Sequence, residues 1–374
     1  MDVTIDGPMD AGLDVGRDAS ADVVAAEASA CGPWGCPVTL AAGDKSFDGG
    51  NPYFFPQAIT FLGDGTLVFT DKAKVNAAGD NGGVYALDAS ADGITPLIPL
   101  VADPENPIGL SASGTLLWWL DAKGFNQTLR RLNVVDGGEV LVAQANLGGP
   151  SGSLGGTWLT QAFGNVWLAS YLHSGNDIVI ADIPRFDTDA ATIGSLFDAA
   201  VAQAVGNTPT NTSIGFATGP DLAIVLNAIY WTSTAGVWTC TGIDTAICTP
   251  SLLYSTPGAI AIATDGVRIY WTASNGVYWA NPTADAGGTT GTVSSASNCS
   301  SCLAVAASDP EHVYWSDGDT IHLGSANDAG APVTLYRLPN GEDVQRIYVY
   351  GPNLFWTAAA STAPYGLVMK LPIR

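Results

Sequence analysis

The chain has 374 residues, 44 of them glycine and 22 proline, and only 13% are charged, against roughly 25% in an ordinary soluble domain. Its formal net charge of −22 argues against nucleic acid or an anionic membrane as a partner. No stretch approaches the ~18 consecutive apolar residues of a membrane-spanning helix.

In chain order, residues 1–30 come first, with an aspartate at every fourth position from Asp2 to Asp22 among Gly, Ala, Ser and Val. Such a segment cannot bury enough apolar surface to fold and reads as an acidic linker. No basic-then-apolar leader stands at its start, so an export signal, ending in a lipidated cysteine, is expected upstream of residue 1. An isolated strand follows, Pro37-Val38-Thr39-Leu40-Ala41, resembling Pro332-Val333-Thr334-Leu335 far downstream.

The rest of the chain repeats a short aromatic motif: Val68-Phe69-Thr70-Asp71, Trp118-Trp119-Leu120-Asp121, Val166-Trp167-Leu168-Ala169, Tyr230-Trp231-Thr232-Ser233, Tyr270-Trp271-Thr272-Ala273, Tyr314-Trp315-Ser316-Asp317 and Phe355-Trp356-Thr357-Ala358. Counted at the second residue, the copies stand 50, 48, 64, 40, 44 and 41 residues apart. Periods of roughly 40–50 residues are those of propeller blades. Neighbouring residues of a strand point to opposite faces, so a Tyr-Trp pair puts a large aromatic on each. Only a sheet covered on both sides buries both, and a propeller blade is such a sheet.

The fifth copy displays the expected four strands: Ala259 to Ala263, Arg268 to Thr272, Val277 to Trp279 and Gly291 to Ser294, with a hairpin turn at Asn275-Gly276. The sixth repeats the plan: Leu303 to Ala307, Val313 to Ser316, a turn at Asp317-Gly318, Thr320 to Leu323, and Val333 to Leu335. The seventh stops after its third strand, Leu367 to Leu371. The expected fold is all-β: a seven-bladed propeller of four-stranded antiparallel blades over residues 31–374. The strand at 37–41 completes the last blade and leaves no open edge at the seam. One helix is expected near 193–206, capped by Ser195, with Leu196, Phe197, Ala200, Val201, Ala204 and Val205 on one stripe.

The six cysteines fall in near-neighbour pairs, Cys31 with Cys36, Cys240 with Cys248 and Cys299 with Cys302. That pattern suggests disulfides and an oxidising compartment rather than zinc or redox chemistry.

The Tyr-Trp-Thr core with occasional Asp resembles the YWTD propellers of the low-density lipoprotein receptor family. With the acidic tail, it is also similar to secreted bacterial propellers of the TolB-like lipoprotein type. The resemblance covers residues 37–374 and implies a fold and an extracellular or outer cell-surface setting, with no catalytic residues. Ala169, Ser233, Ala273 and Ala358 depart from the motif's aspartate, and the YWTD ring of that family has six blades.

Within a propeller, connections between second and third strands open on the face that carries the blade-to-blade crossovers. Here that face takes the long loops, and long loops on a rigid scaffold are where binding sits. The candidate binding residues are Asp71, Lys72, Lys74, Asp121, Lys123, Tyr171, His173, Asp177 and Asp317, with Trp34, Trp158 and Trp238 as further contact residues. An aspartate ending a second strand also serves simply to satisfy backbone donors. His322 is expected opposite Val313 rather than His312. No nucleophile elbow, phosphate loop or metal-ligand motif appears, so no cofactor and no metal are expected. The reading is a monomeric binding module for a protein, carbohydrate or small-molecule ligand. Its alternatives are a lyase or hydrolase acting at the channel mouth and a component of a surface assembly.

Overall fold

The computed structural model describes residues 34–42, 54–71, 82–102, 107–123, 126–137, 139–146, 158–162, 165–172, 177–184, 204–205, 222–225, 228–233, 235–241, 251–282, 288–295, 304–328, 330–339, 342–359 and 366–373. Among them lie seven four-stranded antiparallel sheets and no helix. Strand β1 (Val38–Ala42) joins the last sheet. The first sheet is β2 (Pro56–Phe61), β3 (Leu67–Asp71), β4 (Gly83–Leu87) and β5 (Ile98–Ala102). The second is β6 (Pro107–Ser113), β7 (Leu116–Lys123), β8 (Asn126–Asn133) and β9 (Glu139–Asn146), and the third β10 (Trp158–Ala162), β11 (Asn165–Leu172), β12 (Asp177–Pro184) and β13 (Ala204–Val205). The fourth holds β14 (Leu222–Val225), β15 (Ala228–Ser233), β16 (Gly236–Thr241) and β17 (Ser251–Tyr254). The fifth holds β18 (Ile262–Thr264), β19 (Ile269–Ala273), β20 (Gly276–Ala280) and β21 (Thr290–Ser294). The sixth is β22 (Val305–Asp309), β23 (His312–Asp317), β24 (Thr320–Gly324) and β25 (Val333–Arg337). The seventh is β26 (Asp343–Tyr350), β27 (Asn353–Ala359) and β28 (Gly366–Pro372), with β1 paired to β28.

The aromatic motif occupies the second strand of every sheet, and in the first, fifth, sixth and seventh sheets its two large residues go to opposite interfaces. Tyr270 packs with Val305 and Val313 of the sixth sheet, while its neighbour Trp271 packs with Ala223 and Tyr230 of the fourth. Tyr314 and Trp315 divide in the same way, as do Phe355 and Trp356. The core is therefore a set of slabs between successive sheets. Full burial of each such side chain contributes roughly 1.5–3 kcal/mol. The slab holding Leu40, Phe355 and Val368 with Phe61, Phe69 and Leu87 joins the seventh sheet to the first. The first strands touch in the order β2, β6, β10, β14, β18, β22, β26, and β26 touches β2.

The third motif position stitches the first strands in place. Thr70, Thr272 and Ser316 accept the backbone N–H of Ala58, Ala261 and Ala304 in their own sheets. Thr232 and Thr357 instead donate to a carbonyl of the following sheet, Ile260 and Gln57 respectively.

A β-bulge recurs between third and fourth strands, always opposite the motif. It falls at Val84/Tyr85, Leu129/Arg130, Val237/Trp238, Val277/Tyr278 and Ile321/His322. The extra residue sits on the outer strand: Leu100, Val142, Leu253, Val293 and Leu335. Strand β1 repeats this, because Met369 and Val368 face Thr39 and Ala41, leaving Leu40 as the extra residue. Leu40 thus occupies the place of Leu335, matching the sequence likeness of the two segments.

Three expectations are corrected. Residues 204–205, assigned to the helix, form β13 against Val179 and Ile178; the remainder of that helix lies outside the described residues. The turn of the fifth sheet is Ser274–Asn275, one residue earlier than expected, since Ala273 faces Gly276. Gly276 is held in the strand (φ 154°) because a Cβ there would strike the Ser294 carbonyl, and Gly236 meets the Tyr254 carbonyl in the same way. In the sixth sheet the turn is Gly318–Asp319, one residue later, with Gly318 in the left-handed region at φ 59°. His322 consequently faces Trp315, not Val313. His312 faces Asp309 in the neighbouring strand.

Candidate functional site

The first strands of the first, second, fifth, sixth and seventh sheets, β2, β6, β18, β22 and β26, wall a central cavity of about 430 Å³. Small residues there, among them Ala58, Ala112, Ala263 and Ala306, leave this volume open. Hydroxyls come from Thr60, Ser111 and Thr264, and among the described lining residues the one charged side chain is Arg346. Burial pushes the Tyr348 phenol up, against the pull of the Thr60 hydroxyl bonded to it. Concave sites of this size that carry a few convergent polar groups are where small ligands bind.

The expected site residues have different fates. Asp71 is buried and its Oδ1 accepts the Phe55 N–H at 2.6 Å. Asp121 is also buried and pairs with Arg130, Nε to Oδ2 2.7 Å. Burial pushes the Asp317 carboxyl up, against the pull of His322. The three aspartates hold one register position in three separate sheets, and Asp71 and Asp121 serve local structure. Tyr171 and Asp177 sit at adjoining register positions of one hairpin, where Leu172 faces Asp177 and Tyr171 faces Ile178. Lys123 ends β7 opposite Asn126. The side chains of these three, and all of Lys72, Lys74 and His173, lie outside the described residues. Among the contact tryptophans, Trp34 packs against the core between the sixth and seventh sheets.

Arg346 and Tyr348 were missed. A signal was present, because β26 alternates Arg346, Tyr348 and Tyr350 with Ile347 and Val349. An innermost strand crowded by neighbours, like Ala259 to Ala263, has no room for such side chains unless they face open volume. His322 stacks on Trp315 with centroids 5.5 Å apart, and His312 Nδ1 lies 2.9 Å from Asp309 Oδ1. Both contacts are local. Among the described residues, no group of three or more His, Cys, Asp or Glu could hold a metal ion, and no helix is long and apolar enough to cross a membrane.

These features define a β-propeller. No family model and no curated protein matches the sequence. Among solved structures, the chain is similar to a catalytically inactive virginiamycin B lyase from Staphylococcus aureus bound to quinupristin, at 12% identity and a TM-score of 0.56, covering 90% of this chain and 98% of that one. It is also similar to the propeller domain of Cps50 (Swd1) from Myceliophteria thermophila, at 14% identity and a TM-score of 0.54, covering 84% and 96%. A third is YCF48 bound to a D1 peptide, at 12% identity and a TM-score of 0.53, covering 92% and 98%. Identities this low carry the fold alone.

Proposed function

We propose that this protein is an exported, monomeric, seven-bladed propeller that acts as a binding module at the bacterial surface, with its ligand in the central cavity. The observation that carries the reading is the cavity itself, which sets one guanidinium and several hydroxyls among alanines on rigid first strands. Ring closure by Val38–Ala42 is supported by its pairing with β28, by the shared bulge at Leu40 and by the contact of β26 with β2. Residues 1–30 serve as the acidic linker to an upstream anchor. The cysteines form the three neighbour disulfides, and Cys36 is disulfide-bonded. Non-reducing peptide mapping should recover those three pairs; a different pairing or a reactive thiol would exclude the arrangement.

The binding role is tested by amide NMR shifts on the full chain against a panel of sugars, short peptides and small metabolites. Shifts clustered on the first strands, with the added compound recovered unchanged, are expected. Shifts confined to outer strands, or turnover of the compound, would overturn the reading.

A further inference from the structure

We propose that the cavity recognises an acidic sugar, taken in from the tight-turn face with its carboxylate on Arg346 and its ring against Tyr348 and Tyr350. The inference rests on the central-cavity reading above and reverses the face expected from loop length. Arg346, Tyr348 and Tyr350 stand at alternate positions of β26 and so share one face of that strand. Arg346 lies opposite Thr357 of the motif, whereas Tyr350 lies opposite Asn353 at the Gly351–Pro352 turn. Arg346 and Tyr348 line the cavity, and Tyr350 stands beyond them at the tight-turn mouth, outside the lining residues.

The two tyrosines differ from the aromatics of the motif. Tyr348 is 37% exposed and Tyr350 39%, while Tyr270, Tyr314 and Trp356 are at 0–1%. Phe61, at the end of β2, backs both rings. It stacks on Tyr350 with centroids 4.0 Å apart and planes 2° apart, and it leans on Tyr348 at 5.4 Å. A phenol ring held by a second ring is a rigid platform that loses little freedom when a ligand covers it. The hydroxyls of Thr60, which is bonded to the Tyr348 phenol, and of Ser111 line the same cavity and suit ring hydroxyls that a flat aromatic acid lacks.

Charge selects the acid. A guanidinium binds a carboxylate through two parallel hydrogen bonds, and among the described residues lining the cavity Arg346 is the one charged side chain. The overall charge of −22 opposes anions only at long range, and that field is screened beyond about 8 Å at physiological salt. A cavity of about 430 Å³ has room for a pyranose ring.

The test compares galacturonate with galactose, which differ only at C6, by calorimetry and saturation-transfer NMR on the full chain. Galacturonate should bind at least tenfold tighter. Arg346→Met should reduce galacturonate to the level of galactose, and Arg346→Lys should restore part of the preference, which guards against a variant that merely misfolds. Tyr348→Ala and Tyr350→Ala should each weaken both sugars about fivefold or more. Equal binding of the two sugars overturns the proposal, as does a preference that survives Arg346→Met. Benzoate outcompeting galacturonate would replace the sugar with an aromatic acid and overturn it too. Failure of both sugars, with first-strand shifts still caused by another compound, overturns the acidic-sugar assignment and leaves the binding module standing.

Discussion

The Thr357 hydroxyl donates to the Gln57 carbonyl at 2.6 Å, joining residues 300 positions apart. Thr232 makes the same bond to Ile260, also at 2.6 Å, between the fourth sheet and the fifth. The contact from the last sheet to the first therefore copies an ordinary contact between consecutive sheets.

Removing that donor should cost stability. Thr357→Val leaves the Gln57 carbonyl without its partner in a partly buried interface, a loss of about 1 kcal/mol. Thr357→Ser keeps the hydroxyl and should recover much of it. Chemical denaturation of the three proteins checks this, and a Thr357→Val midpoint equal to the parent's would remove the bond from the account.

Two truncations test the role of β1. Deleting residues 1–30 should leave the melting temperature nearly unchanged. Deleting residues 1–42 also removes Trp34, Leu40 and the strand paired to β28, exposing an open sheet edge. A clear fall in melting temperature and a tendency to aggregate are expected for the longer deletion alone. Equal melting temperatures would contradict closure by this strand.

Lys370 should prove structural rather than electrostatic. Its side chain is 7% exposed, and its ammonium donates to the carbonyls of Ala91 at 2.5 Å and Ser90 at 3.3 Å, in a turn of the first sheet. Its nearby carboxylate, Asp92, is 94% exposed, so that ion pair adds little. Lys370→Met should cost about 1–3 kcal/mol because the carbonyls lose their donor, whereas Asp92→Asn should be close to neutral. Reversed effects in thermal unfolding would assign the contribution to the ion pair.

Gly276→Ala should destabilise by about 1–3 kcal/mol, the range for overpacking against groups that cannot yield. The group met is a backbone carbonyl, that of Ser294. Gly93→Ala is the control, since nothing lies within 4 Å of its added methyl. Similar stabilities for the two variants would show that the outer strand gives way.

The imidazole of His322 gives the pH dependence a sign. Burial pushes its pKa below 6.5, against Asp317, which raises it. The unfolded chain then binds the proton more readily than the folded one, so stability is complete above about pH 6.5 and falls as the pH drops toward the folded value. Asp317 is shifted up and acts in a lower window with the opposite sign: its contribution is present near and below pH 3.8 and lost as pH rises. His322→Phe keeps a ring on Trp315 and should flatten the melting temperature between pH 6.5 and 5. An unchanged slope would place the proton uptake elsewhere.

The sequence by itself determined the sheet class, the repeat and the identity of the strand that pairs with β28, because each is written in local pattern. A Tyr-Trp pair must point both ways from a strand, so Tyr270 and Trp271 declared two buried faces before any fold was known. Likewise Pro37 to Leu40 and Pro332 to Leu335 share a pattern, and Leu40 and Leu335 prove to be the same bulged residue. Register was decided elsewhere. The turns at Ser274–Asn275 and Gly318–Asp319 moved by one residue in opposite directions. For the first, the close approach of Ser294 to Gly276 comes from the fourth strand of the same sheet. The motif aspartates read in sequence either as ligands or as acceptors for backbone donors; Asp71 takes the second role by accepting from Phe55, and only the folded chain brought Arg130 to Asp121. The cavity was decided last of all, since Thr60, Ser111 and Arg346 meet only when strands from separate sheets are packed side by side. Pattern within a strand is a local property of the chain, whereas a cavity belongs to the packing of distant strands.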